Sequence, residues 1–253
     1  MSQATASDPG AIQDAQYQFP YHYLPRVEGG RFRFHEVLSW GHEYLAYMTH
    51  VADLVETLEW NSLLDVGCGD GRLVAILSER FGNRRVVGLD YSERAIALAR
   101  ALVPAASFVS GDVTRPDLFA ERFDLATCID VLEHIEPGFL PEFVAGMRGQ
   151  VRDGGRLIVT VPSTNVKLNK KHYQHFTDAK VRETLAPAFE VQDCYYINGD
   201  SRPLQAMRMA LTNRLYTVTH PALLTAFYRF YVRGFLRSDP KRGARVLAIC
   251  RAV

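Results

Sequence analysis

The segment LLDVGCGDGR at 63–72 constrains the fold more than any other stretch: an apolar strand runs straight into glycines 67, 69 and 71 and then into a helical pattern. A tight strand-to-helix reversal needs backbone angles that side chains resist, and a missing Cβ lets a ligand approach the main chain. Nineteen residues after Gly71 the next apolar run ends at Asp90, where a carboxylate can accept hydrogen bonds from two ribose hydroxyls. The pairing predicts a nucleoside held at the carboxyl edge of a sheet. A dinucleotide fits poorly, because its third fingerprint glycine would fall at Arg72, and Asp65 and Asp70 place negative charge where a pyrophosphate needs positive potential. A ligand carrying an amine or a sulfonium is better matched.

Around this turn, strand and helix patterns alternate. Apolar strands are predicted at 62–66, 85–89, 106–109, 124–129 and 156–161, with helices near 71–81, 92–102 and 139–150. That order implies an α/β fold with a mostly parallel sheet covered on both faces. A helix at 41–59, with Leu45, Met48, Val51, Val55 and Leu58 on one stripe, precedes the first strand. After a loop at 162–176 come a helix from about Asp178 and strands at 188–197 and 244–253. The roughly 45 residues between those last two strands far exceed a hairpin. They must form structure of their own, and helices are predicted at 203–216 and at 221–237, the latter opened by Pro221. The domain reading is a flexible leader and N-terminal cap at 1–39, then one domain at 40–253 that includes a helical insertion at 198–243.

Four segments in order, LLDVGCGDGR (63–72), VVGLDYS (86–92), SGDVT (110–114) and FDLATCIDVLEHI (123–135), resemble the successive motifs of the S-adenosylmethionine-dependent methyltransferases with Rossmann-like fold. The resemblance covers roughly residues 40–197. It implies a seven-stranded sheet of order 3-2-1-4-5-7-6 with an antiparallel last strand, and S-adenosylmethionine as cofactor. Asp65, Gly67 and Gly69 would hold the methionine end, Asp90 the ribose hydroxyls, and Tyr91 would flank the adenine. Asp112 would accept from the adenine amino group, with Val113 beside the ring, and Ile129 and Asp130 would line the methionine moiety. The insertion departs from the minimal fold.

Methyl transfer from a sulfonium is an in-line displacement, so the protein aligns a nucleophile and, for a hydroxyl, removes its proton. Histidine titrates in the right range, and His134, His172 and His175 follow the fourth and fifth strands, where the acceptor would sit. A packed loop histidine is the competing reading of each. The order Asp130, Glu133, His134 and a later histidine such as His175 also suits one divalent metal, as in some RNA 3′-end and quinone-ring methyltransferases. Metal-free relatives carry the same run, and the metal-free reading is adopted.

An acceptor that is a small molecule, a sugar or a lipid-linked intermediate, methylated on oxygen in a biosynthetic step, is favoured over nucleic acid. The basic excess is local, with ten Arg and Lys against Asp200 and Asp239 in 198–253, and no nucleic-acid motif accompanies it. Within 221–237, Arg229, Arg233 and Arg237 fall four apart among Phe227, Tyr228, Phe230, Tyr231 and Phe235. That pattern suits peripheral membrane contact, an anionic acceptor, or plain packing with the arginines outward. Aromatic residues Tyr21, Tyr23, Phe32, Phe34 and Trp40 suit a cap over the site or over the core. Residues 1–18 lack the basic start and apolar run of a secretory signal, and Cys68, Cys128, Cys194 and Cys250 are scattered, which fits a cytoplasmic protein. A relative of the family that has lost methyl transfer shares all of these features.

Overall fold

The structure, a computed structural model, describes the backbone of residues 26–28, 31–33 and 37–253 other than 214 and 219, and side chains from Gly41 onward. The predicted leader at 1–18 lies outside the described residues, as do Tyr21, Tyr23 and Phe34 and the side chains of Phe32 and Trp40. A small antiparallel pair, β1 (Arg26–Glu28) and β2 (Arg31–Arg33), precedes helix α1 (Val37–Glu56).

The main sheet contains β3 (Ser62–Val66), β4 (Arg85–Asp90), β5 (Ser107–Ser110), β6 (Phe123–Ile129), β7 (Val151–Pro162), β8 (Phe189–Gly199), the two-residue β9 (Arg237–Ser238) and β10 (Gly243–Ala252). Their spatial order is β5-β4-β3-β6-β7-β10-β8-β9. Strands β5 to β7 pair in parallel, and β10 runs antiparallel to both β7 and β8. This is the expected seven-strand order with β9 added at one edge. The central strands are apolar along their length because both faces are covered: β3 is buried at four consecutive positions and β4 at five.

The two faces carry separate cores. Leu64, Val66, Ala126 and Cys128 face helices α4 (Leu140–Gln150) and α5 (Asp178–Leu185). Leu63, Leu125 and Ile129 face α1, α2 (Arg72–Arg80) and α3 (Glu93–Leu102), following the two-residue alternation of a strand. Helix α1 buries Tyr47, Met48, Val51, Ala52 and Val55, whereas Leu45, expected on this stripe, is 43% exposed. The helix ends at Glu56, short of Leu58, and its inward stripe is centred two residues further round, where Tyr47 reaches the site described below.

The insertion forms α6 (Arg202–Leu211) and α7 (Pro221–Phe235), both shorter at their carboxyl ends than their sequence pattern suggests. Ser201 caps α6 by accepting from the Leu204 amide at 3.2 Å. Leu204, Phe227, Tyr231 and Leu236 join the α1 face, and the His42 ring packs edge-on against Phe227 and Tyr231, each at 4.9 Å. Burial of this kind is worth about 1.5–3 kcal/mol per large side chain and fixes the insertion to the domain. Arg237 lies beyond the helix, stacked over Tyr195 and 3.8 Å from Asp193, so the expected three-arginine stripe reduces to Arg229 and Arg233.

Candidate cofactor and acceptor site

The turn after β3 places Gly67, Gly69 and Gly71 at φ of 74°, 54° and 80°, in the left-handed region. The amides of Gly67 and Cys68 donate to the Leu89 carbonyl at 2.7 and 2.9 Å, fastening the turn to the end of β4. A Cβ on Gly67 would lie 2.4 Å from Cγ2 of Val131. Gly67→Ala is therefore expected to cost about 2 kcal/mol in denaturant unfolding. Adding Val131→Ala should recover part of that loss, and no recovery would mean that backbone strain alone is responsible.

Asp90 is buried at the tip of β4, and its carboxylate accepts from the Gly69 amide and from the Ser92 amide, each at 2.9 Å. It thus locks the glycine turn to the start of α3 while facing the cavity. Asp112, after β5, accepts from the Thr114 amide at 2.9 Å, and Val113 beside it is buried.

Beneath the turn, Asp65 is 3% exposed and accepts from the Thr127 hydroxyl at 2.7 Å; burial pushes its carboxyl up to about 7. An unfolded aspartate ionises near pH 4, so the folded chain holds an extra proton between about pH 4 and 7. Its contribution to stability is present at the acid end and is lost as pH rises through about 7. Ligand-free protein is expected to be more stable at about pH 5 than above pH 7, this group supplying on the order of 2 kcal/mol. Asp65→Asn should remove that part of the slope, and identical pH profiles for the two proteins would contradict it.

A cavity of about 560 Å³ opens at this edge of the sheet, within the range of small-ligand pockets. Gly67, Asp90, Tyr91, Asp112, Val113 and Asp130 line it, together with His134 and, from the loop before α4 and its first turn, Glu136, Phe139, Glu142 and Phe143. Asp65, Gly69 and Ile129 sit behind the wall. Five carboxylates and no Lys or Arg line the cavity among the described residues. Helices α6 and α7 pack on α1, and no described residue of 198–243 lines the cavity.

Asp130 follows β6 with φ of 55°, unusual for a residue bearing a side chain. Its carboxylate accepts from Arg245 Nε at 2.9 Å, from the Tyr47 hydroxyl at 3.0 Å and from the Thr160 hydroxyl at 3.0 Å. Burial works most strongly against its charge, yet the Arg245 guanidinium together with the Tyr47 and Thr160 hydroxyls outweighs it and holds the carboxyl below the usual carboxylate range. Arg245 also stacks over the Tyr47 ring at 4.3 Å. Neither Arg245 nor Tyr47 was singled out by the sequence.

The three histidines form a file, with His134 alone of them at the cavity wall. A carbonyl can only accept, so His134 Nδ1 donates to the Lys171 carbonyl (2.9 Å) and His175 Nδ1 donates to the Val166 carbonyl (3.1 Å). With the rings neutral, His175 Nε2 then accepts from His172 Nδ1 at 2.8 Å, leaving lone pairs on the Nε2 atoms of His134 and His172. Burial lowers the pKa of His134, and burial with its imidazole neighbours pushes that of His172 down to about 3. The rings of His134 and His172 meet edge to face at 4.8 Å. Of the residues that suit a metal, Glu133, His134 and His172 bring ligand atoms within 4.8 Å of one another. Asp130 is instead engaged by Arg245, and His175 Nε2 by His172.

Residues 63–155 match the methyltransferase domain family. Over that stretch the chain carries a methyltransferase domain, and its fold is the Rossmann-like one of S-adenosylmethionine-dependent enzymes. A curated relative in this family, a probable S-adenosylmethionine-dependent methyltransferase from Mycolicibacterium smegmatis, is 29% identical over 170 residues, covering 64% of this chain and 60% of that protein. A ubiquinone biosynthesis O-methyltransferase from Alkalilimnicola ehrlichii is 32% identical over 126 residues, covering 47% and 49%. The chain spans about half to three fifths of the length of these relatives. The fold is shared with magnesium protoporphyrin IX methyltransferase from Synechocystis PCC 6803, solved with bound S-adenosylmethionine, at a TM-score of 0.58 and 16% identity over the whole of both chains. A methyltransferase from Archaeoglobus fulgidus superposes with a TM-score of 0.57 at 12% identity, covering 83% of this chain and 94% of that one.

Proposed function

We propose that residues 40–253 form a methyltransferase domain that binds S-adenosylmethionine in the described cavity. Its acceptor is an oxygen of a small molecule, a sugar or a lipid-linked intermediate. The observation that carries this reading is the cavity wall, which among the described residues holds five carboxylates, one of them (Asp130) paired with Arg245 behind it, and no Lys or Arg. Such a wall favours a ligand bearing an ammonium and a sulfonium and repels the pyrophosphate of a dinucleotide. Asp90 would accept from the ribose hydroxyls, Tyr91 would flank the adenine, and Asp112 with Val113 would hold its edge and face. Asp65, Gly67, Gly69, Ile129 and Asp130 would surround the methionine end, the bare backbone of Gly67 allowing close approach.

The bound cofactor supplies an electrophilic methyl group whose bond to sulfur breaks as a bond to the acceptor oxygen forms. Within the chain, His134 is the base: its Nδ1 is spent on the Lys171 carbonyl, and burial keeps the ring neutral, so Nε2 can take the hydroxyl proton. His172 and His175 buttress it. His134→Gln is expected to lower kcat by about 10²- to 10³-fold while leaving S-adenosylhomocysteine affinity within a few-fold of wild type. Unchanged kcat would remove the base role. An oxygen acceptor agrees with the ubiquinone O-methyltransferase relative, and four unpaired thiols agree with a cytoplasmic setting.

A second reading rests on Glu133, which is 1% exposed and has one carboxylate oxygen, Oε2, buried without a hydrogen-bond partner beside His134 and His172. Those three would hold one divalent cation that polarises the acceptor oxygen. Loss of turnover on chelation, restored by Mg²⁺ or Zn²⁺, selects this reading over the free base.

A further inference from the structure

The insertion is anchored by one face only. Along α7, Phe227 and Tyr231 are buried, while Leu223 (55% exposed) and Phe230 (45%) look outward with Ala226 between them. Arg229 and Arg233 flank this stripe and are exposed. Helix α6 and the turn that follows add Met209 at 68%, Leu215 at 91% and Tyr216 at 52%. Six large apolar side chains of the insertion, counting the more covered Met207, thus face solvent.

From Ser201 to Ser238 the sequence holds six arginines and no Asp or Glu. Arg208 is paired with Glu43 and Asp200, and Arg237 with Asp193, while Arg229 and Arg233 are exposed on α7. A second copy of the same surface would meet it with like charge, and an apolar ligand alone would leave the arginines unanswered. An anionic bilayer answers both features, since acyl chains take the apolar side chains while phosphates take the guanidiniums. No described helix is long and apolar enough to cross a membrane, so the contact is peripheral.

Topology roots the insertion at the carboxyl edge of the parallel strands. Strand β8 leaves at Gly199 opposite Gly243, where β10 enters, and Arg245 of β10 lies opposite Pro162 at the carboxyl end of β7. The same Arg245 is bonded to Asp130 in the cavity wall. We infer that the α6–α7 insertion docks the protein on anionic membranes through Met209, Leu215, Leu223 and Phe230 with Arg229 and Arg233. The cavity opens at the same sheet edge from which the insertion leaves. This inference stands apart from methyl transfer, because docking needs neither cofactor nor acceptor.

The test is co-sedimentation of the full chain with vesicles of phosphatidylcholine alone or mixed equally with phosphatidylglycerol. Binding to the mixed vesicles, weakened by salt, is expected, with little binding to phosphatidylcholine alone. Arg229→Gln with Arg233→Gln should weaken partitioning roughly 25-fold, about fivefold for each arginine. Leu215→Asp with Leu223→Asp should abolish it while leaving the circular dichroism melt unchanged. Absence of binding to the mixed vesicles overturns the inference. So does a concentration-dependent dimer in sedimentation velocity that Leu215→Asp dissolves, since the surface would then be a contact between copies, or equal vesicle binding by wild type and both variants.

Discussion

Asp90→Ala is expected to weaken S-adenosylhomocysteine binding by about 10²- to 10⁴-fold in titration calorimetry, the largest effect of any single change in the cavity. Hydrogen bonds to a charged group are worth about 1.5–3 kcal/mol each, and the proposed ribose contacts remove two of them at once. The loss has a second part. The same carboxylate receives the Gly69 and Ser92 amides, so its removal also loosens the glycine turn at the cavity edge. Asp90→Asn keeps the size and one acceptor oxygen and should fall between alanine and wild type. Wild-type affinity in Asp90→Ala would mean that the ligand does not use this edge of the sheet.

Arg245→Met should destabilise the protein by about 3 kcal/mol, because breaking a largely buried ion pair leaves its partner charge uncompensated. That partner is Asp130, which would retain only the Tyr47 and Thr160 hydroxyls. Arg245→Met combined with Asp130→Asn should recover much of the stability, since the pair is then replaced by neutral groups. The cavity should still suffer, for Asp130 is part of its wall and its left-handed backbone is held by these contacts. Denaturant melts of the two single variants and the double variant measure the coupling. Additive losses would show that the two residues act independently.

The sheet was legible in the sequence because its signals are local. A buried parallel strand reads as a near-continuous apolar run, as in VVGL and, but for Asp65, LLDV, and each such run ends at the cavity wall, at Gly67 or Asp90. The helices were found by periodicity, although the stripe of α1 was misaligned at Leu45. Helical spacing alone does not reveal that Tyr47 is drawn inward by a carboxylate 83 residues away. Arg245 was illegible for the same reason: it lies at the start of an ordinary apolar strand, and its meaning comes from Asp130, 115 residues earlier. The histidines were found by residue type and position. Their order was not, because only the fold brings His172 against His134 and turns His175 toward the Val166 carbonyl.

The insertion shows the converse. Its aromatic and arginine content was plain, but composition could not say which aromatics were spent on the core. Phe227 and Tyr231 are, leaving Leu223 and Phe230 outside along with the apolar residues of α6 and its turn. No described residue of 198–243 reaches the cavity, whose outer wall is formed by residues such as Glu136, Phe139, Glu142 and Phe143.

The measurement that bears most directly on the whole account is transfer of label from methyl-labelled S-adenosylmethionine into a cell extract divided into lipid, aqueous and macromolecular fractions, with Asp90→Ala as control. Label in the lipid or aqueous small-molecule fraction, absent with Asp90→Ala, is the predicted result. Label confined to the macromolecular fraction would contradict the acceptor class. No label from protein that binds S-adenosylhomocysteine, in an extract competent for other methyl transfers, would contradict the methyltransferase activity itself.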